Sequence, residues 1–501
     1  MRSSGLNYKI VVSFLGLTAM LNGIFMLFAI PFSLYNHEES YTGILSAGLI
    51  TICIGFFMWF LNRNAPKTLH KREGYIIVTL GWLILTFTGA LPYLFTGTIP
   101  HFADAIFETI SGYSTTGASI VNDIEALPNG ILFWRSATHW IGGMGIIVLT
   151  IAILPLLGIG GMQLFMAEAP GPSADKMHPR ITQTAKRLWL IYVSLTLTEF
   201  FLLKIAGMTW FDALNHAMAT MSTGGFSTKN ASMAYWNHIP IIQYIVIAFM
   251  FVAGTNFILT YFALKGKIRK IFQNEEFKYY FFGSIFMTIV ITIIIQYFQT
   301  PGIESTIEHP MPWGTLESSF RHAGFQVVAV LTTTGFVSAD YTTWNSLATM
   351  LIFSLFLVGG SAGSTSGGVK IVRHIIMIKN SVLEFKKLLH PNAIIPVRYD
   401  NKGVSRIIVF NILSFFVLYM LIFISSAIIL SFLGLEFDSA IGAAASSLGN
   451  VGPALGSLSP VDNYAHLSDA AKVFCSFLML IGRLELFTVL ILFTPFFWKR
   501  T

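Results

Sequence analysis

The chain has 501 residues, of which 54 % are apolar and only 11 % are charged, and its mean hydropathy is +0.68. Soluble globular proteins are usually about 25 % charged, so this composition excludes a water-soluble enzyme. The formal net charge is +7, and in so apolar a chain a basic excess has to be compared with membrane topology before nucleic acid is considered.

The first apolar run extends from Ile10 to about Leu34 and follows a mildly basic N-terminus. It is longer than the roughly 7–15 apolar residues of a signal peptide, and no small-residue cleavage site follows it. We therefore predict an uncleaved membrane span. Cys53 and Cys475 both lie in apolar runs, which argues against a disulfide framework.

Charge-poor runs of about 20 residues, the length that crosses a bilayer, recur ten times. An even number of spans puts both termini on the same side of the membrane. The predicted spans are residues 10–34, 41–61, 74–96, 135–158, 186–206, 239–264, 279–298, 344–358 continuing past a break to 378, 405–433 and 470–497.

The charges follow this alternation. If the N-terminus is cytoplasmic, 25 of the 31 Lys and Arg residues fall on inner segments, whereas 15 of the 24 acidic residues fall on outer ones. Cytoplasmic loops of membrane proteins carry such an excess of Lys and Arg. The pattern predicts an integral membrane protein with both termini in the cytoplasm. The basic balance then needs no nucleic acid to explain it. The basic residues assigned to outer segments are Arg135, Lys204, Lys229, Arg321 and Lys472.

After the first two spans, a unit of two spans joined by a short apolar segment and a polar, Gly-containing cluster occurs four times, with a period near 100–110 residues. Ten residues of helix reach only ~15 Å, so the short segments are predicted to be re-entrant. All four units begin on the same side and are therefore parallel. The predicted parts are two N-terminal spans (1–70) and repeats at 71–165, 180–270, 275–392 and 400–501.

These features predict an all-α polytopic membrane protein whose four parallel repeats of span, re-entrant helix and span surround one pore. Non-helical backbone at membrane depth is tolerated when it lines an aqueous cavity, and carbonyl and Thr oxygens can replace the hydration shell of a cation. No ring of Lys or Arg lines the short segments, which argues against an anion pore. Four acidic residues are expected on the outer rim, where they would concentrate cations: Asp104, Glu108, Asp212 and Asp438.

The eighth span contains ten residues, 359–368, of which five are glycine. Each Gly costs about 1 kcal/mol in a helix relative to Ala, so the span is expected to break here. An ordinary loop between two shorter helices is the alternative, but no charge occurs from Tyr341 to Val369. A mobile polar break below the four clusters could block the pore.

Arg483 lies about thirteen residues into the last predicted span. Both ends of a straight span would be roughly 20 Å away, too far for its side chain to reach water, so it is expected to face the pore and contact the Gly-rich break. Glu485 is two residues away on another helix face and is poorly placed to pair with it. Glu199 and His139 are interpreted as structural polar residues.

Taken together, the four clusters resemble the pore loops of the Trk/Ktr/HKT superfamily of potassium transporters, and within it the TrkH type. They read Ser-Thr-Thr-Gly117, Ser-Thr-Gly224-Gly-Phe, Thr-Thr-Thr-Gly335-Phe and Asn-Val-Gly452-Pro. The runs beginning at Gly142, Gly160 and Ile481 are also similar to the family. Two extra N-terminal spans favour the TrkH type over Ktr-type chains.

The resemblance implies potassium as the transported ion, without an organic cofactor in this chain. It also implies a homodimer in the bacterial inner membrane, a cytosolic nucleotide-binding, TrkA-like regulatory subunit, and a gating loop at the broken span. Ala454 departs from the expected glycine. The implied filter residues are Thr115, Thr116, Gly117, Thr223, Gly224, Thr333, Thr334, Gly335, Asn450, Val451 and Gly452. The implied gate residues are Gly359, Gly360, Ser361, Ala362, Gly363, Ser364, Thr365, Ser366, Gly367, Gly368, Lys370 and Arg483.

Two other classes of function remain as alternatives. A secondary transporter for another solute would be built on broken helices, but it would usually show inverted repeats, whereas the repeats here are parallel. An intramembrane enzyme would need an acid–base or metal cluster near one face, and the sequence offers none that we recognise.

Overall fold

The computed structural model describes residues 6–65, 71–153, 181–298, 307–393 and 395–499. The run beginning at Gly160 and the end of the predicted span 135–158 lie outside them. The described residues are mostly helical, as predicted. They also include an antiparallel hairpin of two two-residue strands, β1 (Arg398–Tyr399) and β2 (Lys402–Gly403), which the sequence did not predict.

The two N-terminal spans form a closely packed helix pair. Gly16 faces Gly55 and Gly23 faces Gly48, and a Cβ on any of them would lie 2.6–3.2 Å from the carbonyl oxygen of the facing glycine. Small residues allow membrane helices to approach in this way. Cys53 and Cys475 are both free cysteines. The helices are α1 (Tyr8–Leu27), α2 (Ile30–Tyr35) and α3 (Ser40–Asn62).

Each of the four repeats contains a membrane helix, a short helix and a second membrane helix. Repeat 1 consists of α4 (Lys71–Gly89), α5 (Leu91–Thr96), the short helix α6 (Phe102–Tyr113) and α7 (Asn129–Ile153). Repeat 2 consists of α8 (Ile181–Ile205), the short helix α9 (Trp210–Met221), α10 (Pro240–Ala253), α11 (Phe257–Leu264) and α12 (Arg269–Gln273). Repeat 3 consists of α13 (Glu275–Phe298), the short helix α14 (Thr315–Leu331), α15 (Ser346–Leu355) and α16 (Ile371–Leu389). Repeat 4 consists of α17 (Arg406–Phe432), the short helix α18 (Phe437–Gly449), α19 (Asp469–Leu484), α20 (Leu486–Leu490) and α21 (Pro495–Trp498).

Side-chain caps explain where several of these helices begin. Thr209 accepts a hydrogen bond from the backbone N–H of Asp212 at 3.0 Å, at the start of short helix α9. Asn345 and Ser468 cap α15 and α19 in the same way. Ser, Thr and Asn are favoured at this position because their oxygens satisfy N–H groups that have no partner within the helix. The third short helix begins ten residues before the predicted segment at Phe325, because its buried face already starts at Ser318.

The second membrane helix is interrupted in every repeat. Two of the predicted spans, 239–264 and 470–497, are not continuous: α10 and α11 are bent by 111°, and α19 and α20 by 112°. The break before α20 is at Glu485, a non-glycine residue with φ +64°. The third repeat breaks between α15 and α16, as predicted, and α7 is kinked at Gly145, where φ is +44°. Straight spans were therefore the wrong prediction in the second and fourth repeats.

Three of the basic residues assigned to outer segments are buried in the protein. Arg135 and Arg321 are 1 % and 0 % exposed, and Lys472 is 5 % exposed. Each forms an ion pair with a carboxylate of a short helix: Arg135 with Glu108 at 2.8 Å, Arg321 with Glu317 at 2.8 Å and Lys472 with Asp104 at 2.7 Å. Buried charges are costly unless they are paired and hydrogen-bonded, so these pairs belong to the packed interior.

Candidate functional site

The four short helices end in the same backbone conformation. Thr115, Thr223, Thr333 and Asn450 have φ values of 54°, 55°, 55° and 55°. This left-handed conformation commonly terminates a helix, although it is unusual for residues other than glycine. Its occurrence at four equivalent points shows that the repeats agree in local geometry as well as in sequence.

The hydrogen bonds at these helix ends fix the alignment of the repeats. The N–H groups of Thr116, Gly224, Thr334 and Val451 donate to carbonyls five residues earlier, at Ser111, Ala219, Ala329 and Ser446. The next residue in every repeat is a glycine with positive φ: Gly117 (82°), Gly225 (85°), Gly335 (71°) and Gly452 (104°). The glycine equivalent to the other three is therefore Gly225, and the prediction of Gly224 was one residue too early.

These glycines connect the four segments into a closed ring. A Cβ on Gly117 would collide with the carbonyl oxygen of Gly224, and one on Gly225 with that of Thr334. A Cβ on Gly335 would collide with the carbonyl oxygen of Val451, and one on Gly452 would lie 2.5 Å from that of Thr116. Each repeat thus contacts the next, and the fourth returns to the first. The ring brings all eleven predicted filter residues to one place.

Side-chain contacts support the ring from behind. The hydroxyls of Thr116 and Thr334 lie 2.7 Å from those of Ser114 and Thr332, respectively. Asn450 Nδ2 donates to Thr116 Oγ1 at 3.0 Å, linking the fourth segment to the first. Ala454, which departs from the family pattern, is buried and does not have positive φ. Its N–H donates to the Leu458 carbonyl at 2.8 Å, so the backbone there does not require glycine.

The Gly-rich loop (residues 359–368) lies against the broken second helix of repeat 2 and the ends of the short helices. Ser361 N–H donates to the Gly254 carbonyl at 2.9 Å. Thr365 Oγ1 donates to the carbonyls of Met221 at 3.1 Å and Ala253 at 3.2 Å. Gly367 N–H donates to Thr333 Oγ1 at 2.6 Å, which joins the loop directly to the third of the four predicted filter segments (115–117, 223–225, 333–335 and 450–452).

Two cations and one carboxylate hold this loop. Arg483 Nη1 donates to the Thr365 carbonyl at 2.7 Å, and Nη2 donates to the carbonyls of Gly142 at 2.6 Å and Gly143 at 3.0 Å. Lys370 Nζ donates to Ser366 Oγ at 3.2 Å and to the Ser366 carbonyl. Glu276 Oε1 accepts from the N–H groups of Ala362 at 2.8 Å and Val372 at 3.2 Å, so it binds both arms of the loop.

The break at Glu485 adds a contact that the sequence did not reveal. Glu485 Oε2 lies 2.5 Å from Nη2 of Arg373, two residues into α16, and the Arg373 guanidinium lies 3.8 Å from the centre of the Phe415 ring. The interrupted last membrane helix therefore makes two contacts here. Arg483 binds the Gly-rich loop, and Glu485 binds α16, the helix that follows the loop. A carboxylate two residues from an intramembrane arginine was the available signal.

The predicted outer ring of four acids is not present as such. Glu108 is fully buried and paired with Arg135, and Asp104 is paired with Lys472. Asp212 accepts hydrogen bonds from Thr209 at 2.8 Å and Thr228 at 2.5 Å. Asp438 alone of the four is exposed. The sequence could not distinguish a rim carboxylate from one whose partner is supplied by a distant segment.

The fold and the ring can be compared with known proteins. The family model for TrkH, described as a cation transport protein, matches residues 41–500. The chain belongs to the TrkH family. It is 40 % identical over 455 residues, 90 % of this chain and 91 % of the relative, to the Trk system potassium uptake protein TrkH of Escherichia coli (strain K12). The protein of the same name from Halomonas elongata is 38 % identical over 499 residues, which cover 99 % of this chain and all of the relative.

A solved TrkH structure has the same fold. The crystal structure of the potassium transporter TrkH from Vibrio parahaemolyticus superposes with a TM-score of 0.86 at 33 % identity, covering 99 % of this chain and 100 % of that one. The resemblance identified in the sequence is therefore confirmed. The chain is an integral membrane transport protein of the TrkH family and not an enzyme. Among its described residues, no group of three or more His, Cys, Asp or Glu side chains could hold a metal ion.

Proposed function

We propose that this chain carries potassium ions across the bacterial inner membrane through the ring formed by the four filter segments. The observation that carries the proposal is the closed contact of each filter glycine with a carbonyl of the next repeat. Carbonyl oxygens arranged around one axis can replace the hydration shell of K⁺. The relatives' name, Trk system potassium uptake protein, supports the same ion.

The Gly-rich loop is proposed to be the gate. It contacts the third filter segment through Gly367 and is held by Arg483 and Lys370. Its backbone hydrogen bonds go to three separate elements, so it could be released without unfolding a membrane helix. A cation that passes the ring meets this loop and the Arg483 charge, and both would oppose its passage.

The assembly is proposed to be a homodimer with a cytosolic, nucleotide-binding regulatory subunit of the TrkA type. The basic inner segments that would face such a subunit include the charged end of α16 and the β1–β2 hairpin. Both termini are proposed to be cytoplasmic, on the basis of the Lys and Arg distribution. The word "system" in the names of the relatives supports further components.

Potassium or rubidium uptake in a host that lacks its own uptake systems tests the proposal. The chain is expressed with and without its partner subunit, and its presence in the membrane is confirmed by immunoblotting. We expect uptake of K⁺ over Na⁺. Absence of uptake in both arrangements, with normal amounts of protein in the membrane, would overturn the proposal. Reversal potentials under separate potassium and proton gradients distinguish channel-like flux from coupled transport.

Replacing Gly117 with serine is expected to lower the preference for K⁺ over Na⁺ about tenfold, which corresponds to about 1.4 kcal/mol. Gly117 has φ +82°, and its new Cβ would collide with the Gly224 carbonyl, so the ring must distort. The matched control is Gly97→Ser, because Gly97 has φ +69° but no atom within 4 Å of its Cβ position. Uptake of both ions is measured in competition. Equal selectivity in the two variants would contradict the prediction.

A further inference from the structure

The second filter segment lacks a side chain that the other three possess. The residue before the filter glycine is Thr116, Thr334 or Val451 in the other repeats but Gly224 here. Gly224 does not have positive φ, unlike the adjacent Gly225. Its backbone conformation therefore does not require glycine, and the reason for a glycine must lie in its surroundings.

The imidazole of His139 occupies those surroundings. A Cβ on Gly224 would collide with its Cγ, and would lie 2.6 Å from Cδ2 and 2.7 Å from Nδ1. His139 is on the second membrane helix of repeat 1 and is wholly buried. The His139 imidazole thus lies on the side of the second segment where the other three segments carry a threonine or valine side chain.

The position of the His139 ring is fixed on two sides. Nδ1 lies 2.7 Å from the carbonyl oxygen of Gly112, near the end of short helix α6. A carbonyl only accepts hydrogen bonds, so Nδ1 carries a hydrogen and sets the orientation of the ring. The ring also contacts Phe226, with 4.0 Å between the centroids. His139 therefore joins the first short helix to the second filter segment.

We propose that His139 is a specificity-determining residue of the filter. Its imidazole takes the place of the side chain that Gly224 lacks and holds the second filter segment in its position among the four segments. The proposal rests on the proposed function, because it concerns ion selection by that ring. It explains two sequence features together: a glycine with ordinary backbone geometry, and a fully buried histidine outside the filter segments. A ring of four unequal segments can keep the same carbonyl positions when the side chain is supplied from another helix.

A double-mutant cycle tests the fit between His139 and Gly224. The variants are Gly224→Thr, His139→Ala and the combination, all in the full-length chain. We expect Gly224→Thr to reduce potassium uptake at least tenfold, and the combination to recover at least threefold, because the threonine can enter the vacated space. Thermal unfolding in detergent and the amount of protein in the membrane are measured in parallel. If Gly224→Thr folds poorly, the rescue by His139→Ala is measured as a recovery of unfolding temperature and of protein abundance.

The matched control is Gly225→Thr with and without His139→Ala. Gly225 is excluded from substitution by its φ of +85° and by the Thr334 carbonyl, so removing the histidine should not rescue it. A second control, Ile131→Ala, removes a buried side chain about two turns earlier on α7. Failure of His139→Ala to improve Gly224→Thr in uptake, stability and abundance would overturn the proposal.

Selectivity distinguishes a specificity role from simple packing. We expect His139→Ala to lower the ratio of K⁺ to Na⁺ uptake at least fivefold, His139→Phe to lower it less because a ring is retained, and Ile131→Ala to leave it unchanged. An unchanged ratio in His139→Ala would overturn the specificity role. Wild-type protein is assayed alongside: if it takes up no potassium, the proposed function fails, whereas the stability cycle still tests the contact between His139 and Gly224.

Discussion

Replacing Arg483 with alanine is expected to increase potassium flux at least tenfold in the absence of a regulatory subunit. Arg483 donates hydrogen bonds of 2.6–3.0 Å to the carbonyls of Thr365 in the Gly-rich loop and of Gly142 and Gly143 on α7. It therefore connects the proposed gate to the second membrane helix of the first repeat. Without it, the loop loses a tether and the proposed permeation path loses a positive charge.

The expected size follows from the strength of these contacts. Hydrogen bonds to a charged group each contribute about 1.5–3 kcal/mol, and about 1.4 kcal/mol changes an equilibrium tenfold. Weakening the closed arrangement by the single bond to Thr365 is enough for a tenfold rise in the open population. Removal of a positive charge from the path acts in the same direction, since it reduces the electrostatic cost for a passing cation.

A second substitution separates the two causes. Arg483→Gln retains a hydrogen-bond donor but has no charge, so its flux should be intermediate if the tether matters and equal to that of Arg483→Ala if only the charge matters.

Deleting residues 361–366 of the Gly-rich loop should also raise flux. The control is Lys387→Ala, which removes a cation from the far end of α16, where it pairs with Glu384. Flux is measured as rubidium uptake into proteoliposomes. Unchanged flux in Arg483→Ala and in the deletion would count against a gate.

The helical membrane fold class was predictable because it depends on properties that can be read directly from the sequence. Length, hydropathy and the side preference of Lys and Arg place a helix without any knowledge of its neighbours. Five glycines in ten residues likewise predict the break in the eighth span. These signals are local, and they predicted the fold class that the comparison with a solved TrkH structure confirms.

The errors came from features that hydropathy does not describe. Ser-Thr-Gly-Gly offers two possible filter glycines, and the hydrogen bond from Gly224 N–H to the Ala219 carbonyl together with the positive φ of Gly225 identifies Gly225 as the equivalent one. The break at Glu485 has neither Gly nor Pro beside it, and its partner Arg373 lies more than a hundred residues earlier. The break after Gly254 did carry a signal, because Asn256 follows as a helix cap.

Charge counting also has a limit at span ends. Arg135 lies at the start of the predicted fourth span and was assigned to an outer segment by its position, and the structure buries it in an ion pair with Glu108. Hydropathy treats every cation as a cost and contains no information about a carboxylate from another helix. The same reasoning misplaced Glu108 on the outer rim. A buried pair of this kind is recognised only when the two segments are brought together.

The pair of Arg135 and Glu108 lies directly behind two filter segments. Arg135 Nε lies 2.8 Å from Glu108 Oε1, and its Nη1 donates to the Ser227 carbonyl at 3.2 Å. Its guanidinium lies 4.2 Å from the centre of the Phe226 ring. Glu108 also accepts hydrogen bonds from Ser119 Oγ at 3.0 Å and from the N–H of Ile120 at 3.0 Å. One ion pair therefore supports the backbone that follows Gly117 and the backbone that follows Gly225.

Replacing Arg135 with methionine is expected to destabilise the protein by about 3–5 kcal/mol, because it leaves the Glu108 carboxylate buried without its cation. Glu108→Gln should have a similar cost, since it leaves the Arg135 charge unpaired. The combination of Glu108→Gln with Arg135→Met should cost much less than the sum of the two, because no unpaired charge remains. Thermal unfolding in detergent measures all three variants against wild type.

The control is Glu384→Gln, which breaks the partly exposed pair with Lys387, and pairs of this kind contribute little to stability. If Arg135→Met unfolds at the same temperature as this control, the buried pair is not a structural requirement. The effect should also extend to ion selection. Because Arg135 contacts Phe226 and Ser227 immediately after Gly225, the double variant is expected to fold yet discriminate K⁺ from Na⁺ less well. Such a result would separate the two roles of the pair, since stability would return while the filter remained loosely supported.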